Sequence, residues 1–178
     1  MIEIILAVLV VIGIYVGSIY NSLVSLNNRV INSWSQINVQ LKKRADLIPS
    51  LVEIVKGYSK YEKQTLTDIT RFRTELMQTS SVSKKYELNK KLSKELKQIF
   101  VVAENYPTLK ANENFLKLQE ELSDIENKIA FTRQFYNDTV YKYNTEVKSF
   151  PSNIVSGLFK FHLKESFNEE SKYEGVKL

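Results

Sequence analysis

The sequence predicts an all-α protein: an N-terminal transmembrane helix, then an antiparallel up-and-down four-helix bundle with a short C-terminal helix. No charged residue occurs from Ile4 to Tyr20. Beyond that segment, apolar residues recur in steps of three and four, which is the spacing of amphipathic helices. Charged residues make up 25% of the chain, which holds only 5 Gly and 3 Pro. This composition favours long helices over a β-rich or disordered chain.

Residues 1–20, MIEIILAVLVVIGIYVGSIY, have the composition of a membrane-spanning helix. They approach the ~20 residues that cross a ~30 Å hydrocarbon core, and they lack the polar stripe of a helix packed in a soluble core. A cleaved signal peptide has a basic start and a small-residue cleavage site. This chain starts Met1-Ile2-Glu3, and no A-x-A motif follows the apolar run. We therefore predict an uncleaved single-pass anchor in a lipid bilayer.

The basic residues predict how this anchor is oriented. No Lys or Arg precedes it, whereas Arg29, Lys42, Lys43 and Arg44 follow it. Basic residues next to a membrane segment tend to stay in the cytoplasm. We expect the N-terminus outside and the large C-terminal part in the cytoplasm.

Within the anchor, Gly13 and Gly17 form a GxxxG motif. This spacing lets two membrane helices approach closely, so it is compatible with a homo-oligomer. Glycine is also common in membrane helices that do not pair in this way. The oligomeric state therefore stays open at this point.

Residues 21–167 are expected to form one helical domain, and residues 168–178 a frayed C-terminal tail. The absence of Cys excludes disulfides, thiolate zinc sites and thiol catalysis. A single histidine, His162, cannot build a His-centred metal site, and the chain has no P-loop, GxGxxG, HExxH, GxSxG or EF-hand motif. We predict no catalytic residue, metal or cofactor.

The chain after Tyr20 carries one apolar stripe, formed by Leu23, Leu26, Val30, Trp34, Ile37 and Leu41. Because Trp34 lies on this stripe, we interpret it as a core residue. Pro49 then lacks a backbone donor and disfavours the helical conformation of Ile48. The stripe continues in phase through Ala45, Ile48, Val52 and Val55, which favours a kinked helix. An unbroken helix from Leu23 to Leu76 would run ~80 Å with no later segment to cover it, so we predict that the chain reverses at Pro49.

A helix is next expected from Pro49 to about Gln78, with a weak point at Gly57-Tyr58, and another from Ser83 to Glu104. The second of these is rich in lysine, and the helix that follows begins with an acidic run. Neighbouring helices of opposite charge are expected to pair along their edges. With this pairing and no recognised motif, we predict no nucleic-acid partner.

A break at Asn105-Tyr106-Pro107-Thr108 precedes the most regular stripe of the chain, and Asn112 is expected to cap the helix that carries it. The stripe predicts a coiled-coil-like helix and comprises Phe115, Leu118, Leu122, Ile125, Ile129, Thr132, Tyr136, Val140, Tyr143, Val147 and Phe150.

The second half of this stripe is polar. Thr132, Tyr136 and Tyr143 place hydroxyl groups where aliphatic side chains would pack, with Arg133, Asn137 and Asn144 beside them. We call these six residues the polar seam. These groups either line a polar cleft or form hydrogen bonds inside the bundle. We favour the second interpretation, because buried polar atoms are normally satisfied.

Pro151 is expected to end the long helix, and Ser152 to cap a short last one. This segment carries apolar residues interleaved with basic ones: Ile154, Val155, Leu158, Phe159, Lys160, Phe161, His162, Lys164 and Phe167. A basic amphipathic segment can lie on a membrane. We favour the alternative that it closes an open end of the bundle.

Several stretches closely resemble the bacterial LemA family, in order and over nearly the whole chain. They are Tyr20-Asn21-x-Leu23-Val24, the run from Trp34 to Val52 with Asp46-Leu47-Ile48-Pro49, the run Tyr106-Pro107-x-Leu109-Lys110-Ala111-Asn112-Glu113-x-Phe115, and the pairs Tyr136-Asn137, Tyr143-Asn144 and Phe150-Pro151. The resemblance implies an anchor in the bacterial cytoplasmic membrane, N-terminus out, and a cytoplasmic four-helix bundle. It implies no established enzymatic activity. It does imply a role connected with membrane organisation and envelope stress. The chain departs at Ala45, where relatives often have His, so a pH-sensing or metal-binding role for that turn is not expected.

These observations predict a non-catalytic, membrane-tethered adaptor or scaffold that binds an unidentified membrane or cytoplasmic protein, or helps to organise the membrane or envelope. The candidate partner-binding residues are Arg44, Asp46, Pro49, Tyr106, Pro107, Asn112, Arg133, Tyr136 and Asn137. The alternative is a small-molecule sensor or enzyme that uses a polar pocket around Thr132–Tyr143.

Overall fold

The computed structural model of this chain describes residues 1–58 and 63–168. Within these ranges the regular structure is entirely helical, as predicted. The helices are α1 (Ile2–Tyr58), α2 (Lys63–Gln78), α3 (Val82–Ala103), α4 (Pro107–Lys110), α5 (Glu113–Lys148) and α6 (Ser152–Leu158). The antiparallel four-helix arrangement stays a prediction. Apart from residue 168, the tail expected to be frayed lies outside the described residues.

The chain divides into two compact units. Of the described residues, unit 1 comprises 1–35 and 134–166, and unit 2 comprises 36–58, 63–133, 167 and 168. Helices α1 and α5 each contribute to both units. The boundaries predicted at residues 20 and 167 remain predictions.

The predicted reversal at Pro49 is wrong, because α1 continues through this residue to Tyr58. Proline cannot donate to the carbonyl group four residues earlier, which belongs to Ala45. The Nε of Arg73 in α2 donates to that oxygen at 2.7 Å, so the carbonyl is not left without a partner. The apolar stripe therefore runs in phase past the proline, and α1 ends at the weak point predicted at Gly57-Tyr58.

The core of unit 2 is built from the predicted stripes. Its buried apolar residues include Ile37, Leu41, Ala45, Ile48, Leu51, Val55, Leu66, Ile69, Leu76, Leu88, Leu92, Leu96, Ile99, Leu109, Phe115, Leu122, Ile125, Ile129 and Phe167. Fully burying one large apolar side chain stabilises a fold by about 1.5–3 kcal/mol, so these stripes dominate the stability of the unit. Phe167 lies edge-on to the ring of Tyr86, at 5.4 Å between ring centroids.

The core of unit 1 is smaller. It buries Leu23, Val30, Tyr136, Val140, Tyr143, Val147 and Val155. The ring of Trp34 packs against that of Tyr136 at a centroid distance of 5.4 Å, which agrees with the interpretation of Trp34 as a packing residue.

The helix ends confirm some of the expected caps and correct others. Asn112 accepts a hydrogen bond from the backbone N–H of Phe115 at 3.1 Å and so caps α5 as predicted. Ser152 does not cap α6; its hydroxyl donates to Oε1 of Glu146 at 3.1 Å, and the N-cap position is Pro151. Phe150, expected on the buried stripe, lies beyond the end of α5 and is 81% exposed.

The last helix is also shorter than expected. It ends at Leu158, and Lys160 then adopts a positive φ of 58°. Residues 161–166 carry no helix. The hydrogen bonds that hold this non-helical segment come from α5, as described below.

Candidate functional site

The structure places the predicted partner-binding residues in four different settings, the first of which is the buried side chain of Arg44 in unit 2. Only 3% of Arg44 is exposed. Its Nη1 donates to Oδ1 of Asn89 at 2.7 Å and to Oγ of Ser93 at 2.8 Å, and it lies 2.6 Å from Oε2 of Glu126. Arg44 therefore ties α1 to both α3 and α5.

Burial lowers the pKa of Arg44, and the neighbouring carboxylate of Glu126 opposes that effect. Within the described ranges, Nε of Arg44 is buried without a hydrogen-bond partner. A cavity of about 370 Å³ lies beside this network, lined among others by Arg44, Leu96 and Phe100. A guanidinium held in this way contributes to the packing of three helices.

The other two residues of the same turn, Asp46 and Pro49, are exposed. Pro49 lines a groove of about 340 Å³ together with Ile48, Val52 and Arg73. Both residues are therefore accessible to a partner, unlike Arg44.

Tyr106, Pro107 and Asn112 lie in the segment that connects α3 to α5. Pro107 is the first residue of α4 and is exposed, while Tyr106 is half-buried before it. Asn112 is half-buried and caps α5. Pro107 thus leaves a surface available, whereas Asn112 has a clear local structural role.

The polar seam of α5 binds the chain's own C-terminal segment in unit 1. The hydroxyl of Tyr136 donates to the carbonyl oxygen of Glu165 at 2.7 Å, and that of Tyr143 donates to the carbonyl oxygen of His162 at 3.0 Å. The side-chain amide of Asn144 makes two hydrogen bonds to the backbone of Lys164. Its Nδ2 donates to the carbonyl oxygen at 2.8 Å, and its Oδ1 accepts from the N–H at 2.9 Å. Residues 161–166 therefore lie along α5 as an extended strip.

Burial raises the pKa of Tyr136 to about 12, and the carboxylate of Glu165 adds to the shift. Burial also raises the pKa of Tyr143. Both hydroxyls therefore stay protonated at neutral pH and can act as donors. Thr132, half-buried, donates to the carbonyl oxygens of Lys128 and Ile129 within its own helix.

This geometry agrees with the interpretation that the seam is satisfied internally. The hydroxyls that a sensor or enzyme pocket would need are directed at backbone carbonyl oxygens. Arg133 is exposed and Asn137 is half-buried. Of the seam, Arg133 is the residue most accessible to a partner.

A feature that sequence reasoning did not locate is a set of exposed apolar side chains in the C-terminal part of unit 1. We call Phe150, Ile154, Leu158, Phe159 and Leu163 the apolar patch. Leu158 is 73% and Ile154 63% exposed, and the other members exceed 48%. The basic amphipathic pattern of this segment was the available signal, but it did not reveal which side chains would stay uncovered.

The N-terminal part of α1 is apolar and uncovered. Its most apolar window of 18 residues has a mean hydropathy of 2.6, and none of that window is buried. By length and composition it is able to cross a membrane. A Cβ added at Gly13 or Gly17 would meet no atom within 4 Å, so this face is open. Among the residues with described positions, no group of three or more His, Cys, Asp or Glu side chains is placed to hold a metal ion.

These features define a class: an all-helical protein whose longest helix begins with an apolar segment of membrane-spanning length. The sequence pattern of the LemA family matches residues 33–177. The chain belongs to the LemA family.

Three named relatives show how far the similarity extends. The chain is 29% identical to protein LemA of Metamycoplasma hominis over 148 residues, which cover 80% of this chain and 65% of that protein. It is 21% identical to the magnetosome proteins MamQ 1 and MamQ 2 of Paramagnetospirillum magneticum over 177 residues, which cover 85% of this chain and 65% of each relative. The chain therefore spans about 65% of the length of the curated relatives it matches.

Proposed function

We propose that this protein is a non-catalytic, membrane-tethered adaptor. Residues 1–20 cross the bacterial cytoplasmic membrane with the N-terminus outside, and the helical remainder binds a protein partner or helps to organise the membrane or envelope. The observation that carries the proposal is that the uncovered apolar window continues, without a helix break, into a helix whose apolar stripe is buried. Such a helix connects the anchor directly to the packed part of the chain.

The orientation is tested by labelling introduced cysteines, which is unambiguous because the chain has none of its own. Glu3→Cys and Ser123→Cys are exposed positions on the two sides of the anchor. In intact cells a membrane-impermeant maleimide is expected to label Glu3→Cys and to leave Ser123→Cys unlabelled until the cells are lysed. The reverse pattern would overturn the orientation, and cleavage before residue 20 would overturn the anchor.

The partner-binding surface is proposed at Asp46 and Pro49, which are exposed on α1, and at the exposed residues Pro107 and Arg133. A photo-crosslinking residue at Asp46 is expected to capture a protein in cells, whereas the same residue at exposed Lys128 serves as the matched control. Recovery of no specific protein from Asp46, or of the same proteins from Lys128, contradicts a partner site at this turn.

The GxxxG face supports a further proposal, that two anchors pair. Disulfide crosslinking between copies carrying Ile14→Cys reports this pairing in membranes. Replacing Gly13 and Gly17 by Leu is expected to abolish the crosslink if the glycines form the contact. Crosslinking that is unchanged in this variant excludes the glycine face.

A further inference from the structure

The apolar patch is a feature of unit 1 that the proposed function leaves unexplained. Its five members follow one another closely, from Phe150 through α6 to Leu163, and all are exposed. Large exposed apolar patches mark surfaces that contact a protein or a membrane. The position of the patch relative to α1 favours one of these two occupants.

The position is given by Tyr20, the last residue of the anchor. Its ring lies 4.7 Å from that of Phe159 and 5.8 Å from that of Phe161, measured between centroids. Tyrosine rings at the ends of membrane helices lie at the level of the lipid headgroups. Phe159, a member of the apolar patch, therefore lies beside the residue at which the proposed anchor ends.

The packing of unit 1 begins inside the apolar run. Side chains up to Tyr15 are exposed, Val16 and Ile19 are half-buried, and Leu23 is fully buried. At 1.5 Å per residue, the run from Ile4 to Tyr20 spans about 26 Å, which is short of a ~30 Å hydrocarbon core. A bilayer that covers this run consequently reaches the residues packed around Tyr20.

The charges beside the patch match an anionic lipid surface. Lys148 and Lys160 are exposed, and Lys160 directly follows Phe159. Basic side chains near a membrane are attracted to anionic headgroups by about 1 kcal/mol each. Apolar side chains at headgroup level, flanked by lysine, are the pattern of an interfacial segment that inserts about 5–10 Å into one leaflet.

We propose that the apolar patch is inserted into the interfacial region of the leaflet from which α1 emerges, so that unit 1 is attached to the membrane at two points. The occupant is the phospholipid surface and not a second protein. The inference rests on the membrane anchoring in the proposed function. Two attachments fix the tilt of unit 1 against the bilayer, which a single helix does not do.

The test uses the full chain in phospholipid nanodiscs containing phosphatidylglycerol, with one nitroxide spin label per variant on an introduced cysteine. Labels at Ile154→Cys and Leu158→Cys report on the patch, and a label at Ile12→Cys reports on the anchor. Phe135→Cys is the matched control, because Phe135 is also an exposed apolar residue of unit 1. It neighbours Tyr136, whose ring packs against that of Trp34. Trp34 is about 21 Å beyond Tyr20 along α1 at 1.5 Å per residue.

We expect the labels at 154 and 158 to be relaxed by oxygen and protected from a water-soluble nickel chelate, as the label at 12 is, while the label at 135 is exposed to nickel. Exposure of the labels at 154 and 158 to nickel, with the label at 12 protected, overturns the proposed insertion of the patch and leaves the proposed anchor intact. Protection from both reagents at 154 and 158 indicates a protein occupant and also overturns the inference. Nickel exposure at 12 overturns the proposed anchor and the inference together.

Discussion

The Nε of Arg73 donates a 2.7 Å hydrogen bond to the carbonyl oxygen of Ala45, which lies four residues before Pro49. In an uninterrupted α-helix this oxygen accepts the N–H of residue 49, which proline does not have. Helix α2 thus supplies to α1 the donor that its own sequence lacks. This contact accounts for a proline in the interior of a helix of 57 residues.

Removing this donor should destabilise the fold. We expect Arg73→Met to lower the free energy of unfolding by about 1–2 kcal/mol, because a partly buried carbonyl loses its charge-assisted hydrogen bond. Arg71→Met is the control, since Arg71 is largely exposed, where it pairs with Asp68 and lies over the ring of Phe72, and its loss should cost less than about 1 kcal/mol. Urea denaturation of the full chain in detergent measures both variants.

The same contact predicts a coupling between Arg73 and Pro49. Pro49→Ala restores a backbone N–H that can reach the carbonyl oxygen of Ala45. Arg73→Met should then cost measurably less in the Pro49→Ala background than in the parent chain, and a double-mutant cycle isolates the difference. An equal cost in both backgrounds would show that Arg73 does not replace the missing donor.

The network around Arg44 should depend on the charge of Glu126. We expect Glu126→Gln to lower the free energy of unfolding by about 1–3 kcal/mol, because the buried guanidinium loses its counter-charge and a charged hydrogen bond. Glu120→Gln removes an exposed carboxylate from the same helix and should stay within about 0.5 kcal/mol of the parent chain. A cost for Glu126→Gln no larger than that of the control would contradict a role for this pair in holding α1 to α5.

The hydroxyl of Tyr136 makes a prediction about alkaline pH. Burial raises its pKa from 10.0 to about 12, so the folded state favours the protonated hydroxyl. Its contribution to stability is therefore complete below pH 10 and is lost as the pH rises from 10 through 12. Between these values the free energy of unfolding should fall less steeply in Tyr136→Phe than in the parent chain.

The control for this experiment is Tyr141→Phe, which removes an exposed hydroxyl from the same helix. Ultraviolet absorbance of phenolate, recorded with circular dichroism along the titration, follows ionisation and unfolding together. If Tyr136→Phe and Tyr141→Phe change the pH dependence equally, the hydrogen bond to Glu165 does not govern it.

The cap at Asn112 predicts a graded series. Asn112→Ala should cost about 1 kcal/mol, since the N–H of Phe115 loses its side-chain acceptor. Asn112→Asp keeps an oxygen at that position and should retain most of the stability. Thermal unfolding followed by circular dichroism compares the three chains, and an equal loss in both variants argues against capping as the cause.

The expectations that held concern short-range pattern. The stripe residues from Ile37 to Ile129 are buried as predicted, except Leu118, which is half-buried, and Asn112 caps α5. Apolar periodicity and caps act within one or two helical turns, so a single sequence contains the information that they need. The polar seam was also interpreted correctly as internally satisfied, because burial without a partner is costly whatever the fold.

The surroundings of the candidate residues could not be predicted from the sequence, for a reason visible at Arg44. A basic residue beside Asp46 and Pro49 was expected to face a partner. Its acceptors, Asn89 and Ser93, lie 45 and 49 positions away in the sequence, and no local pattern links them to residue 44. The exposure of the apolar patch was not predicted for the same reason. An apolar stripe in the sequence does not show whether another segment will pack against it.

The amino-acid sequence by itself determined that this protein is helical, that its first twenty residues are suited to a bilayer and that the chain belongs to the LemA pattern, because these properties depend on composition and on spacing along one segment. Tertiary structure alone decided that α1 passes Pro49 and that Tyr136 and Tyr143 bind the chain's own C-terminal backbone. Each of these outcomes depends on a hydrogen-bond partner between 19 and 29 residues distant. Such a partner becomes available only when packing has brought the two segments together.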